Sequence, residues 1–127
     1  MKSNQPTNIG LGSIKNYRFP ITAISSILHR LSGVFLFILI PFLIWALDAS
    51  LSGASSFEEV KQTMTSGFIG VVVWLFLSAI SYHLIAGVRH LIMDIGFGEN
   101  LHVAKATSIL VMILGVASLV LWGIWIW

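Results

Sequence analysis

Three stretches of the chain contain no Lys, Arg, Asp or Glu: Leu31–Leu47 (17 residues), Gln62–Val88 (27) and Ala106–Trp127 (22). A helix rises about 1.5 Å per residue and the hydrocarbon core of a bilayer is about 30 Å thick, so about 20 apolar residues cross it. The second and third stretches clear that length. The first does so only by extending back through "FPITAISSILHR", residues 19–30, which carries His29 and Arg30 into or beside the membrane. The pattern predicts an all-α membrane protein, a single anchor domain over residues 1–127 with spans near 22–48, 65–93 and 103–127.

Local signals set the helix ends. Pro20 suits a first helical turn, where its missing N–H costs nothing, with Thr22 or Ser25 placed to assist. Pro41 sits inside the first span and is expected to kink it. "DASLSGASSFEEV", residues 48–60, reads as a short outer loop with an acidic segment compatible with a helix. "GFGENLH", residues 96–102, reads as an inner turn with two glycines. No repeat, low-complexity segment or second domain is visible.

Composition agrees with the spans. The chain is 57% apolar and 9% charged, with mean hydropathy +0.93, too little charge for the surface of a soluble domain this small. It has no cysteine, which excludes disulfides, thiolate metal sites and iron–sulfur clusters held by this chain. A net charge of +2 does not argue for nucleic acid, because topology explains the basic residues better. With the N-terminus in the cytoplasm, Lys2, Lys15, Arg18, Arg30, Arg89 and Lys105 lie at inner ends, and only Lys61 lies outside. The positive-inside rule therefore gives N-in, C-out. In that orientation all five tryptophans fall in the outer half, where indole rings favour the headgroup interface. "MKSNQPTNIGLGS", residues 1–13, has neither the apolar core of a signal peptide nor the pattern of a transit sequence. The expected location is the bacterial inner membrane.

Polar side chains inside spans are expensive and usually mark function. Here they gather at one side: Ser26, His29 and Arg30 on the first span, His83, Arg89, His90 and Asp94 on the second. Ser26 is three residues before His29 and four before Arg30, so the spacing puts them on one compact surface, continued by Gly33. Gly33 leaves room there for a flat ligand or another helix. His83 and Gly87 share a face of the second span, with His90 one heptad beyond His83, about 10 Å along the axis. That distance argues against one small ligand bound by both histidines. His83 reads either as a packed, hydrogen-bonded histidine or as a ligand of haem iron, with Gly87 as clearance and basic residues nearer the interface pairing with propionates. His90 reads as hydrated or structural. Arg30 reads as a snorkelling topology determinant or, with Ser26, as a donor to the carbonyl oxygens of a quinone in an apolar cleft. Asp94 pairs with Arg89, stays solvated, or relays protons; spacing does not choose among these.

Two motifs extend this reading. Ser26-Ile-Leu-His29-Arg30-Leu-Ser32 resembles the S-x-x-H-R-x-[ST] motif of the cytochrome b subunit of succinate dehydrogenase, the larger membrane anchor of complex II. "HLIAGVRHLIMDIG", residues 83–96, resembles that family's second signature, H-x-x-x-[GA]-x-R-[HF]-x-x-[FYWM]-D-x-G. Length, three spans and "RFPITAISSILHR" resemble the enterobacterial type over nearly the whole chain. One departure is Gln5-Pro6, where the family usually has Arg-Pro, which bears on a peripheral contact with the soluble subunits.

The resemblance implies residue roles. His83 would be one axial ligand of haem b, shared with a histidine of the smaller anchor subunit. His29 and Arg30 would lie near haem propionates, and Ser26 with Arg30 would line the ubiquinone site. Electrons from succinate would arrive through flavin and iron–sulfur clusters in the flavoprotein and iron–sulfur subunits, so this chain alone would not oxidise succinate. Two alternatives stand beside it: the anchor of a menaquinol-linked fumarate reductase, and a small membrane transport or assembly subunit without redox chemistry. The latter would need polar residues continuing into the outer half, which is Trp, Phe, Leu and Ile instead.

Overall fold

A computed structural model describes residues 18–127. Lys2, Lys15 and Gln5-Pro6 lie outside the described residues. Four helices follow in order: α1 (Ile21–Leu51), α2 (Ala54–Met64), α3 (Gly67–Asp94) and α4 (Leu101–Ile126). Among the described residues there is no strand. Three of the helices are long and apolar enough to cross a membrane. At 31, 28 and 26 residues they run about 39–46 Å, longer than the hydrocarbon core, so their ends reach the headgroup layers.

Helix is the form these runs must take, because lipid offers no partner to an unpaired backbone N–H or C=O. Pro20 precedes α1 instead of joining its first turn, and its carbonyl accepts from the backbone N–H groups of Ala23 (2.9 Å) and Ile24 (3.2 Å). No side chain caps that end, and Ser25 is engaged elsewhere. α1 runs unbroken on both sides of Pro41. The turn between α3 and α4 closes on Gly96 and Gly98, with φ +91° and +80°. Phe97 N–H reaches the Ile92 carbonyl (3.2 Å) and Gly96 N–H the Met93 carbonyl (2.9 Å), a glycine-terminated helix end that a β-carbon at Gly96 would strain. Asn100 then starts α4, its side-chain oxygen accepting from Val103 N–H at 2.9 Å.

The helices form an antiparallel bundle in which α3 packs against both α1 and α4, while α2 leans on α1 and α3. Small residues make the closest approaches: Ala46, Ala86, Ala104, Ser25, Ser78, Ser108 and Ser118 are all buried. Ser78, Ser108 and Ser118 hide their hydroxyls on the backbone one turn back, at the carbonyls of Trp74 (2.8 Å), Ala104 (2.8 Å) and Gly115 (2.7 Å). Outward, the surface is apolar: Phe37, Phe68 and Ile124 are 70%, 81% and 74% exposed. Only a lipid or protein surround satisfies such a face.

Candidate functional site at the α1/α3 seam

Three imidazoles stand in a row where α1 crosses α3. The His29 ring stacks on His83, centroids 4.1 Å apart and 20° from parallel, and lies 5.0 Å from the ring of His90. His29 therefore fills the gap between the two α3 histidines. Glycine makes this possible in both directions. A β-carbon at Gly87 would stand 3.4 Å from His29 Nε2, and one at Gly33 would stand 3.0 Å from His83 Cε1. The room expected at Gly33 for a ligand or helix, and at Gly87 for a macrocycle, is occupied by imidazoles of the opposite helix.

Hydrogen bonds fix the His83 ring. Its Nδ1 lies 3.0 Å from the His29 carbonyl and 3.0 Å from Ser32 Oγ. Ser32 Oγ donates to the same carbonyl at 2.8 Å. A carbonyl only accepts, so Nδ1 is the donor here, and a neutral ring bonded this way presents its lone pair at Nε2. His29 Nε2 is different: among the described residues it is the one buried side-chain nitrogen or oxygen without a partner. An unpaired imidazole nitrogen inside a membrane seam costs free energy unless another group meets it.

The other expected site residues separate by face. Ser26 is half-buried and Arg30 and Asp94 are exposed; among the described residues no ion pair joins Asp94 to Arg89 or to Arg30, the one salt bridge being Lys61 to Glu58. The compact surface expected of Ser26, His29 and Arg30 divides, since His29 turns into the seam while Arg30 faces out. Arg89 adds a feature that the sequence expectation did not contain. Near the inner end of α3, next to His90, it is 8% exposed and turned to α4, donating from Nε to Thr107 Oγ1 (3.0 Å) and from Nη2 to the Ala104 carbonyl (3.1 Å). It is a fastener between helices, because one residue along a helix rotates a side chain by about 100°. Tyr82, one residue before His83, does similar work: its hydroxyl donates to the Ser25 carbonyl at 2.9 Å and its ring packs against Gly115. Tyr82 and Thr107 lay outside the sequence expectation, which included Ser25 only as a helix-end residue and Ser32 only as a motif position. For Ser32, Tyr82 and Thr107 the signal is a hydroxyl inside a charge-free run, which calls for a partner.

A separate cleft of about 420 Å3 opens between α1, α3 and α4, lined by Leu28, Phe35, Leu75, Tyr82, Met112 and Val116 among others. It is almost wholly apolar. Ser32 lies on its wall and on the imidazole cluster at once. On α1 its lining residues sit about a third of a turn from His29 and Gly33, so the cleft and the imidazoles use different faces.

Residues 1–123 match the family model described as "Succinate dehydrogenase/Fumarate reductase transmembrane subunit". The chain belongs to that family. This transmembrane subunit is similar to the succinate dehydrogenase cytochrome b556 subunit of Coxiella burnetii, 38% identical over the full length of both chains. The cytochrome b556 subunit of Paracoccus denitrificans is 33% identical over 72% of this chain and 71% of its own. The cytochrome b560 subunit of Reclinomonas americana is 34% identical over 87% and 78%. Family and apolar spans together make the chain a multi-pass membrane protein of the bacterial inner membrane, and the family is part of an oxidoreductase complex with other subunits.

Proposed function

We propose that this subunit is the larger membrane anchor of a succinate:ubiquinone oxidoreductase and that His83 ligates haem b, together with a histidine of a smaller anchor subunit. The observation that carries the reading is the pair of contacts at His83 Nδ1, 3.0 Å from the His29 carbonyl and 3.0 Å from Ser32 Oγ, which engage that nitrogen and leave Nε2 as the one to bind a metal. The surrounding donors suit the group. His29 offers a buried Nε2 without a partner, and Arg30, the next residue, faces outward, so an imidazole and a guanidinium would meet propionates from different sides of α1. Haem bound there supplies a one-electron redox centre buried in apolar surroundings.

The chain's own residues do the remaining work. Ser26 and Arg30, one helical turn apart, donate hydrogen bonds to the carbonyl oxygens of ubiquinone. Those bonds strengthen as negative charge builds on the oxygens, which favours reduction over mere binding. Asp94, exposed at the end of α3, relays protons towards the quinone as it is reduced. With the N-terminus in the cytoplasm, all of these groups lie in the inner leaflet, facing the flavoprotein and iron–sulfur subunits that oxidise succinate. A chain without cysteine holds no cluster and depends on those partners for its electrons.

An optical spectrum of the purified complex tests the reading. Dithionite should develop b-type haem bands in the wild type, and His83→Ala should abolish them. Unchanged bands in the variant would exclude His83 as the ligand.

A further inference from the structure

We infer that Ser32 is a positioning residue for the metal-binding nitrogen of His83, a role that rests on the haem reading above. Three atoms form a closed triangle: His83 Nδ1, Ser32 Oγ and the His29 carbonyl oxygen, with edges of 3.0, 2.8 and 3.0 Å. Ser32 gives its only proton to the carbonyl, so its lone pairs face Nδ1 and it acts there as an acceptor. Nδ1–H thus meets two oxygens at once. The opposite tautomer would press a bare Nδ1 against a carbonyl oxygen at 3.0 Å, a contact with no proton to bridge it.

Gly33 admits the ring to this triangle, since a β-carbon there would stand 3.0 Å from Cε1. The arrangement is local to α1: residues 29, 32 and 33 lie within one helical turn, so one stretch of helix carries the carbonyl, the hydroxyl and the clearance. Ser32 touches no iron. It acts through the imidazole, by orienting the ring and by drawing on Nδ1–H, which makes Nε2 a stronger electron donor and favours oxidised iron. A purely structural serine would only satisfy a backbone carbonyl one turn back, as Ser108 does on Ala104.

Threonine and valine at position 32 separate these roles, because they match in shape and differ in the hydroxyl. The apolar cleft beside Ser32 leaves room for the added methyl. Each variant is made in the whole complex, and the haem is titrated potentiometrically by its absorbance, with haem per complex measured after detergent exchange. Ser32→Thr should keep the wild-type potential and haem content. Ser32→Val should move the potential in the positive direction and weaken haem retention by about tenfold, the low end of the effect of losing an outer-shell partner. Equal behaviour of the two variants, whether both titrate alike or both fail to assemble, overturns the role of Ser32. His83→Ala run in parallel separates the two failures. If its b bands persist, the haem reading itself has failed; if they vanish while Ser32→Thr and Ser32→Val titrate alike, only the Ser32 inference has.

Discussion

The α3/α4 seam and the α1/α3 seam are both built from small residues and buried polar groups, yet they end in opposite states. Between α3 and α4, among the described residues, no buried side-chain donor is left without a partner. Arg89 bonds Thr107 and Ala104, Tyr82 lies against Gly115, and the indoles of Trp74 and Trp122 reach the Leu119 carbonyl (2.8 Å) and Ser81 Oγ (3.0 Å). Between α1 and α3 the imidazole row leaves His29 Nε2 unpaired, and Arg30 beside it faces outward. In lipid an unpaired polar group is costly, so a seam that satisfies itself is a fastener, and one left incomplete is where another molecule is met. That distinction separates two arginines that composition alone treats alike.

The largest effect should come from forcing the closed seam. A β-carbon at Gly115 would stand 2.7 Å from Tyr82 Cδ2, so Gly115→Leu must displace the ring and its bond to Ser25. We expect a loss of about 3 kcal/mol, at the upper end of ordinary overpacking. It would be read as a fall in assembled complex and in its thermal midpoint. Wild-type assembly would contradict the closed-seam picture.

The two arginines then sharpen the contrast. Arg89→Ala removes two charge-assisted bonds and should cost about 1.5–3 kcal/mol of stability, while quinone reduction per assembled complex is kept. Arg30→Ala should leave the stability within about 0.5 kcal/mol of wild type, as exposed positions do. Its quinone reductase activity should fall about 10- to 100-fold, the value of a charged hydrogen bond. Succinate oxidation by an artificial soluble acceptor should be intact in that variant and in Ser26→Ala. Equal loss of both activities in either would remove it from the quinone site.

How far the sequence reaches follows from the same physics. The three spans are legible as charge-free runs because only a helix satisfies its backbone in lipid, and Gly96 and Gly98 announce the turn that closes α3 onto α4. His83 is legible as an anomaly within one of those runs, and His29 and His90 as histidines just beyond the ends of two of them. The pairing of His29 with Gly87 and of His83 with Gly33 is not, because it depends on how far α1 slides along α3, and periodicity within one helix carries no information about that offset. Arg89 shows the same limit. It is adjacent to His90 in sequence, but the direction it takes is set by Thr107 and Ala104 on another helix. Asn100 was open to reading as a cap, being an Asn just before an apolar run.

Within the open seam the two glycines offer a graded test. Gly33→Ala puts its methyl 3.0 Å from His83 Cε1, closer than ordinary contact, whereas Gly87→Ala meets His29 Nε2 at 3.4 Å. Neither should lower assembly by more than about 1 kcal/mol, since the imidazoles can shift by a few tenths of an ångström. The b-haem spectrum should change more in the Gly33 variant, because it moves the ligand itself. A larger change in the Gly87 variant would reverse the assignment of His83 and His29.

The smallest effect concerns the tryptophans, which look equivalent as an outer belt. Trp122 is half-buried and donates to Ser81, whereas Trp125 is 73% exposed and meets Trp122 edge-on at 5.7 Å. Phenylalanine keeps the ring and removes only the N–H. Trp122→Phe should therefore cost about 0.6 kcal/mol, the average for a hydrogen bond between membrane helices, and leave Ser81 Oγ donating to Leu77 alone. Trp125→Phe should leave the thermal midpoint unchanged, because its indole N–H bonds to no group of this chain among the described residues. If the two variants are indistinguishable, Trp122 is an interfacial anchor like its neighbour, and the α3/α4 seam is held by its arginine, its tyrosine and Trp74.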